Sequence, residues 1–205
     1  MKHAFFQAIS HIAVFALVAA FASGCAAPKK ATPAPLKPVT QSEIKNICDG
    51  KSPKECNDMG VKFENVKDYE RAKLCYQKAC ESGEGVACSN LGSLYQKIDP
   101  ASDQILPLFL KACQAGNKYG CFNAANVYRL GLGARKNDFV RAIKLYEKSC
   151  VQLKHAKSCT NLGSMHQFSL GVETASRDVA RKFYEIGCEL GDEVGCRNLS
   201  LVNSE

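Results

Sequence analysis

Ten of the twelve cysteines in this chain form five pairs, and the first members of successive pairs lie 32, 33, 37 and 38 residues apart. Seven or eight residues separate the partners within each pair. A unit of about 35 residues is the period at which helix-turn-helix repeats stack into solenoids. The spacing therefore predicts a repeat with one short turn inside each pair. The pairs are Cys48 with Cys56, Cys80 with Cys88, Cys113 with Cys121, Cys150 with Cys159, and Cys188 with Cys196.

Apolar columns in register with the cysteines predict two helices in each unit. Counting from the second cysteine of a pair, position +3 is apolar and position +4 is small in every unit. Counting back from the first cysteine, position −4 is apolar or aromatic in every unit, and position −8 is Ala or Ile in the four full units. These intervals place the residues on one face of a helix. The predicted units are 56–79, 88–112, 121–149 and 159–187, between capping helices at 40–48 and from 194 to about 202.

Two local signals refine this pattern. Thr40 followed three residues later by Glu43 is a capping-box pattern that would start the first helix. Pro107 lies where the second helix of its unit would already be hydrogen-bonded, so that helix is predicted to start late or to kink.

Three segments carry a specific resemblance. Residues 90–95 (NLGSLY), 128–133 (YRLGLG) and 142–150 (AIKLYEKSC) resemble the Sel-one-like repeat, a relative of the tetratricopeptide repeat. With a cysteine pair in each unit, residues 40–205 are similar to the Helicobacter cysteine-rich proteins. The resemblance implies an all-α fold, a right-handed α-solenoid of helix-turn-helix repeats with one disulfide in each repeat.

The resemblance also implies that the partners within each pair are bridged to each other. Partners eight or nine positions apart across a tight turn agree with this, because their Cα atoms can fall within the roughly 4.4 to 6.8 Å that a disulfide tolerates. Cys75 is left over. It occupies the column of Leu108, Leu145 and Phe183, so we predict a buried free thiol, with a regulatory or intermolecular role as the alternative.

No metal or cofactor site is expected. Structural zinc sites need clusters of four ligands, with partners two to four residues apart, and the cysteine spacing does not supply them. Outside the first 11 residues the only histidines are His155 and His166, so the sequence indicates neither a histidine cluster nor a base beside a nucleophile.

The N-terminus has the pattern of an export signal. Lys2 precedes an apolar run at 12–22, which is too short to span a bilayer and typical of a signal peptide, predicted at 1–24. The run ends in Ala22-Ser23-Gly24-Cys25, which resembles the bacterial lipoprotein box, so Cys25 is the predicted acylated residue. The alternative is soluble secretion, with cleavage after Ala22.

Residues 25–39 are rich in proline and lysine and are predicted to be an extended tether to the repeat domain at 40–205. The abundant cysteine favours an oxidising compartment. We therefore expect a periplasmic or cell-surface protein with a lipid anchor in the membrane. From Thr40 onward, 23 basic residues face 20 acidic ones, a balance that gives no indication of nucleic-acid binding.

Two classes of function remain. The resemblance implies penicillin binding and weak β-lactam hydrolysis, and Ser42 and Lys45 match the S-x-x-K motif of serine β-lactamases. The companion motifs S-D-N and K-T-G are absent, and Ser is also ordinary in the first turn of a helix. Ser42 and Lys45 are therefore weak catalytic candidates, and the sequence favours a protein without enzymatic activity.

The second class is a protein-interaction scaffold with a groove for a protein or peptide partner. Asparagine recurs at position +2 from the second cysteine, and its amide can exchange two hydrogen bonds with the backbone of an extended peptide. The alternative is that these side chains satisfy backbone groups at the starts of their own helices. The predicted binding residues are Asn90, Asn123, Asn161 and Asn198.

Overall fold

The computed structural model describes residues 38–132 and 136–204. The predicted signal peptide and Cys25 lie outside the described residues. Within them the regular structure is helical throughout, with no strand, and no helix has the length and apolar character needed to cross a membrane. The helices are α1 Gln41–Asn46, α2 Pro53–Asn65, α3 Tyr69–Glu81, α4 Gly85–Ile98, α5 Ile105–Gln114, α6 Lys118–Leu130, α7 Phe139–Glu147, a π-helical segment Lys148–Gln152, α8 Ala156–Gln167, α9 Arg177–Glu189 and α10 Glu193–Ser204.

Consecutive helices pack against each other along the chain. Each unit pairs a first helix with a second helix: α2 with α3, α4 with α5, α6 with α7, and α8 with α9. We refer to α2, α4, α6, α8 and α10 as the first helices, and to α3, α5, α7 and α9 as the second helices. The fold predicted from the sequence, an all-α solenoid with one disulfide per repeat, is confirmed.

Side chains at the helix starts explain where several helices begin. The Thr40 hydroxyl accepts the backbone N–H of Glu43, and the Glu43 carboxylate accepts the backbone N–H of Thr40, so the predicted capping box is present. Ser52 and Glu55 form a second capping box at α2. These reciprocal bonds satisfy backbone donors that have no partner inside the helix.

The small residue at position +4 lets the two helices of a unit approach closely. A Cβ atom added to Gly92 on α4 would lie 2.7 Å from the ring of Phe109 on α5, so only glycine fits there without movement. The same relationship joins other first and second helices. These contacts are Gly60 with Tyr76, and Gly163 with Tyr184.

The structure bridges the cysteines of all five pairs, with Cα–Cα distances between 4.4 and 5.5 Å. Bridges that close loops of about nine residues contribute roughly 2 to 3 kcal/mol each in the chain-entropy model. They compensate for the lack of a single thick core in a fold whose repeats contact only their neighbours. The bridges are Cys48 with Cys56, Cys80 with Cys88, Cys113 with Cys121, Cys150 with Cys159, and Cys188 with Cys196.

The turns inside the cysteine pairs reverse the chain through left-handed backbone. Gly83 has φ +92°, and Gly116 and Gly191 have similarly positive values, a conformation that glycine adopts without strain. Gly191 lies in the last of these turns, between Cys188 at the end of α9 and Cys196 in the first turn of α10. The bridge to Cys196 therefore fastens the closing helix to the fourth unit.

The fourth bridge departs from the spacing of the others. Cys159 on α8 lies nine positions after Cys150, whereas eight positions separate the partners in the other four bridges. The π-helical segment at 148–152 accommodates the additional residue, and the left-handed position in this turn is Lys154, with φ +54°. Cys159 is nevertheless fully buried, so the longer turn leaves the bridge inside the core.

Cys75 is the free cysteine among the described residues, and it is buried, as predicted. It lies on α3, in a buried cluster with Cys48, Cys56 and Ala79. The cluster therefore packs the Cys48–Cys56 bridge against α3 of the first unit.

Proline alters one helix as predicted. Helix α5 begins at Ile105, so Pro107 lies in its first turn, where its missing N–H has no helical partner to lose. The helix has 10 residues, whereas α3 and α9 each have 13.

Candidate binding face on the first helices

The four predicted binding asparagines occupy equivalent positions. Each is the sixth residue of its first helix, and each side chain is half-buried. Because the sixth residue lies in the second turn, the backbone N–H groups around it already bond within the helix. Their positions are Asn90 on α4, Asn123 on α6, Asn161 on α8 and Asn198 on α10.

Asn161 takes part in a network centred on Tyr146 of α7. Its amide donates to the Tyr146 hydroxyl at 3.1 Å, and Arg129 donates to the same oxygen at 3.1 Å. The hydroxyl in turn donates to Asn126 at 2.5 Å. Burial raises the pKa of Tyr146, although Arg129 acts in the opposite direction. One phenol therefore links α6, α7 and α8.

Asn198 and Asn90 also have partners within the chain. Asn198 lies near the hydroxyl of Tyr184 on α9, the equivalent of Tyr146 in the next unit; burial raises the pKa of Tyr184, and Ser164 and Asn198 act in the opposite direction. The Tyr184 hydroxyl bonds Ser164 at 3.1 Å and Gln167 at 2.6 Å, both on α8. Asn90 donates instead to Asn57 on the preceding first helix at 2.9 Å. For Asn90 and Asn161, the observed bonds reach neighbouring helices and not the backbone of their own.

Asn123 differs from the other three asparagines. Its equivalent second-helix residue is Phe109, which has no hydroxyl to offer, and the structure gives the Asn123 amide no hydrogen-bond partner among the described residues. The side chain remains partly exposed to solvent. Asn123 therefore keeps both its amide donor and its carbonyl acceptor available for a ligand.

Exposed apolar side chains recur at helical intervals from the asparagine column on the first helices. Residues three, four or seven positions from the column share its side of a helix. In α2 the column position is occupied by Asp58. Counted from Asp58 and the four asparagines, seven of the thirteen exposed large apolar residues in the described part of the chain occupy such positions, Phe168 as the C-cap of α8, with exposed fractions between 38% and 64%. We call them, with the four asparagines, the first-helix face. The apolar members are Val61, Val86, Tyr119, Leu130, Phe168, Val194 and Leu201.

Of the two weak catalytic candidates, Ser42 has a described side chain. The Ser42 hydroxyl lies 3.0 Å from the Thr40 hydroxyl in the cap of α1, beside an open cleft of about 300 Å³. The backbone N–H of Thr40 and the Arg71 guanidinium lower the pKa of the nearby Glu43 carboxyl, which therefore stays ionised. The side chain of Lys45 lies outside the described residues.

A buried histidine–serine pair was missed in the sequence. His155 Nδ1 lies 2.9 Å from the Ser158 hydroxyl, a contact that the cysteine and apolar patterns did not indicate. Ser158 donates to Ser149 at 2.8 Å, and Ser149 donates to the Lys118 carbonyl at 3.0 Å. Because the Ser158 hydrogen is used in this way, His155 Nδ1 must be the donor and cannot act as a base toward Ser158.

The histidine also stays neutral. Burial lowers the pKa of His155 to about 4, and the charges of Lys118 and Lys157 act in the same direction. The pair is therefore a structural hydrogen-bond chain between the third and fourth units. The spacing could have indicated this contact, because residues three apart at the start of a helix lie on the same side and Ser158 follows His155 by three.

Three cysteines cluster near the N-terminal end of the described residues. The sulfur atoms of Cys48, Cys56 and Cys75 all lie within 4.8 Å of one another, which the sequence did not indicate. Two of them are joined as a disulfide, so they do not offer thiolate ligands to a metal while oxidised. Burial raises the pKa of the Cys75 thiol to about 11, and the charge of Asp68 adds to this.

Comparison with known proteins identifies the repeat. The family model of the Sel1 repeat matches residues 65–84, 118–150 and 156–192. Among curated proteins, the cytochrome c oxidase assembly factor 7 homolog of Drosophila melanogaster is 33% identical over 69 residues, which are 33% of this chain and 26% of that protein. The chain thus spans about a quarter of this relative.

Solved structures show the same architecture. A protective antigen present in uropathogenic Escherichia coli strains, displaying an SLR fold, is 27% identical with a TM-score of 0.65, over 72% of this chain and 32% of that one. A Sel1 repeat protein from Oxalobacter formigenes is 24% identical with a TM-score of 0.64, over 71% and 60% of the two chains, and supports the fold alone.

Helicobacter pylori cysteine rich protein B is 31% identical with a TM-score of 0.52. The likeness covers 65% of this chain and 96% of that protein, so nearly the whole of cysteine rich protein B has a counterpart here. The matched repeats and this relative together establish that the chain belongs to the Sel1 repeat proteins.

Proposed function

We propose that this disulfide-stapled repeat scaffold binds an extended segment of a protein partner along the first-helix face. The main support for the proposal is that α6 presents both a side-chain amide without a hydrogen-bond partner among the described residues and exposed apolar side chains. Asn123 has no partner among the described residues, Tyr119 lies four residues before it, and Leu130 lies seven residues after it on the same side of α6.

This combination suits an extended peptide. The Asn123 amide can donate to a backbone carbonyl and accept from a backbone N–H, which fixes a peptide with little demand on its sequence. Tyr119 is 54% exposed and supplies a large apolar area, and exposed apolar patches of this kind mark interaction sites. Together they provide both orientation and affinity.

The disulfides support the same function by keeping the face in one conformation. The Cys80–Cys88 bridge joins α3 to α4, and the Cys113–Cys121 bridge joins α5 to α6. A surface that is already ordered loses less conformational entropy when it binds a partner. The β-lactam alternative has no comparable support, because the matched family and structures are those of repeat proteins and Ser42 lies in a helix cap.

The binding proposal can be tested with a displayed library of random linear peptides, selected on the oxidised protein. We expect calorimetry with the best peptide to show an approximately tenfold or greater loss of affinity in Asn123→Ala, from an unpaired ligand amide, and in Tyr119→Ser. The matched control is Val140→Ser on α7, because Val140 is 55% exposed but belongs to a second helix. Equal losses in all three variants would refute the assignment of the face.

The five disulfides indicate an oxidising compartment. We extend this to a location at the cell envelope, with Cys25 acylated and residues 25–39 as the tether. Two or three acyl chains hold a protein stably on a membrane, whereas one does not. Intact-mass measurement of the mature protein should show a chain that begins at acylated Cys25, and an unmodified chain that begins at Ser23 would contradict the anchor.

A further inference from the structure

We propose that Cys75 is an internal exchange partner of the Cys48–Cys56 disulfide, and that the protein has a second disulfide isomer in which Cys56 is bridged to Cys75 and Cys48 is free. The proposal starts from the position of three sulfurs within 4.8 Å in one buried cluster. A thiolate this close to a disulfide needs only a small side-chain movement to attack it.

Cys56 also contacts the backbone of Cys75. The Cys56 sulfur lies 3.3 Å from the backbone carbonyl oxygen of Cys75, which places the two residues in direct contact across α2 and α3. These helices pack extensively on each other, so a Cys56–Cys75 bridge would join elements that are already adjacent. The exchange therefore requires no rearrangement of the solenoid.

The leaving group is Cys48. Attack at Cys48 would instead release Cys56 as a thiolate inside the core, where its side chain is 2% exposed, and desolvation opposes a charge there. Cys48 is also buried, at 5% exposed, but it lies in the non-helical segment 47–52 between α1 and α2, whereas Cys56 is held within α2. After release, movement of this segment would bring the Cys48 sulfur to solvent without unwinding a helix.

The reaction is an isomerisation and balances without an oxidant or reductant. Cys75 gives up its proton to hydroxide, and its thiolate forms a bond to the Cys56 sulfur. The Cys48–Cys56 bond breaks with its electron pair on Cys48, which then takes a proton from water. Because burial raises the pKa of Cys75 to about 11, the reactive thiolate is scarce at neutral pH, and its fraction grows about tenfold for each pH unit up to that value.

The exchange would loosen the N-terminal cap. Helix α1 has six residues and is too short to persist alone, and the Cys48–Cys56 bridge is the covalent cross-link that adds to the Glu43–Arg71 and Asp49–Lys78 ion pairs in holding its segment. In the second isomer the free thiol of Cys48 becomes accessible for a mixed disulfide with another thiol. The cluster is thus a redox-sensitive device at one end of the solenoid.

The test uses the oxidised full chain, incubated at pH 7, 8 and 9 and then quenched in acid. Free thiols are blocked with N-ethylmaleimide in denaturant at acidic pH before trypsin digestion. Lysines at 45, 51, 54, 62, 73 and 78 place each cysteine of the cluster on its own tryptic peptide: Cys48 on 46–51, Cys56 on 55–62 and Cys75 on 74–78. Mass spectrometry then identifies the blocked residue directly.

We expect blocked Cys48 and a bridge between peptides 55–62 and 74–78 to accumulate, with an initial rate that rises about tenfold per pH unit. Cys75→Ala should abolish the release of Cys48 while the other four bridges stay intact. Blocking of Cys75 alone at every pH, or blocking of Cys56 with a Cys48–Cys75 bridge, would overturn the proposal. Peptide mapping of the unmutated protein decides between these outcomes even if the variant folds poorly.

Discussion

The amide of Asn161 on α8 donates to the hydroxyl of Tyr146 on α7 at 3.1 Å, and this bond joins the fourth unit to the third. Asn198 lies near the equivalent Tyr184 one unit later, where the Tyr184 hydroxyl bonds Ser164 and Gln167 of α8. In the preceding unit Phe109 replaces the tyrosine, and Asn123 loses the corresponding partner. The asparagine column therefore serves packing at some positions and leaves an open amide at another.

This difference predicts opposite effects of the same substitution at two positions. Asn161→Ala removes a donor to the hydroxyl of the buried Tyr146, so we expect the free energy of unfolding to fall by about 1 kcal/mol. Asn123→Ala removes no intramolecular bond seen among the described residues and should change stability by less than about half of that. Urea unfolding of both variants with intact disulfides measures the difference, and equal losses would contradict it.

The sequence indicated the column but not its bonds. Its regular spacing followed from the cysteines, and each asparagine does occupy the same place in its helix. The partner of Asn161 lies 15 residues earlier and on another helix, so it depends on how the helices rotate against each other. Local propensity contains no information about that rotation, and both interpretations considered for the column therefore missed the tyrosines.

A second prediction concerns the close approach of α4 and α5. In Gly92→Ala the new Cβ would come within 2.7 Å of the Phe109 ring, so the helices must move apart or the ring must leave its rotamer. Overpacking of this kind costs about 1 to 3 kcal/mol. The control is Ser93→Ala, the next residue on α4, which is exposed and should leave stability unchanged or raise it slightly. Denaturant unfolding with wild-type stability in Gly92→Ala would argue against the packing.

A third prediction concerns the contribution of a single bridge. The double variant Cys113→Ala/Cys121→Ala opens one short loop, and we expect its free energy of unfolding to drop by about 2 to 3 kcal/mol without a change of fold. Circular dichroism should show retained helix content, and calorimetry should show a lower Tm. A variant that melts at the wild-type Tm would show that the bridge contributes no stability.

A fourth prediction follows from the buried histidine. The unfolded chain takes up a proton on His155 near pH 6.5, whereas the folded chain does so near pH 4. Between these values the unfolded state binds more protons, so stability falls as pH decreases from about 6.5 to 4, by at most about 3 kcal/mol. Above pH 6.5 the residue is neutral in both states and has no effect.

His155→Asn keeps a side-chain donor toward Ser158 and has no group that titrates in this range. Unfolding free energies at pH 7, 6, 5 and 4.5 should therefore decline in the wild type and stay nearly flat in the variant. Carboxylates with lowered pKa values, such as Glu43 and Glu55, begin to lose their stabilising effect at lower pH than the histidine does. Identical slopes in the two proteins would contradict the assignment to His155.

The cysteines show where sequence reasoning was sufficient and where it was not. Pair spacing predicted the turns, because partners eight or nine residues apart can only meet across a short reversal. The sequence shows one extra residue between Cys150 and Cys159. It does not predict that a π-helical segment accommodates this residue, because several loop geometries have the same length. The approach of Cys75 to the first bridge depends on the tertiary contact between α2 and α3, 19 residues from Cys56.

Binding of partners on the first-helix face can be tested by site-specific photocrosslinking in intact cells. A photoreactive residue is placed at Tyr119 on α6 or at Val140 on α7, which are 54% and 55% exposed and differ in the surface they occupy. We expect a discrete protein adduct from position 119, lost in the Asn123→Ala background, and none from position 140. Adducts from position 140 alone, or adducts at 119 that persist undiminished in Asn123→Ala, would contradict it.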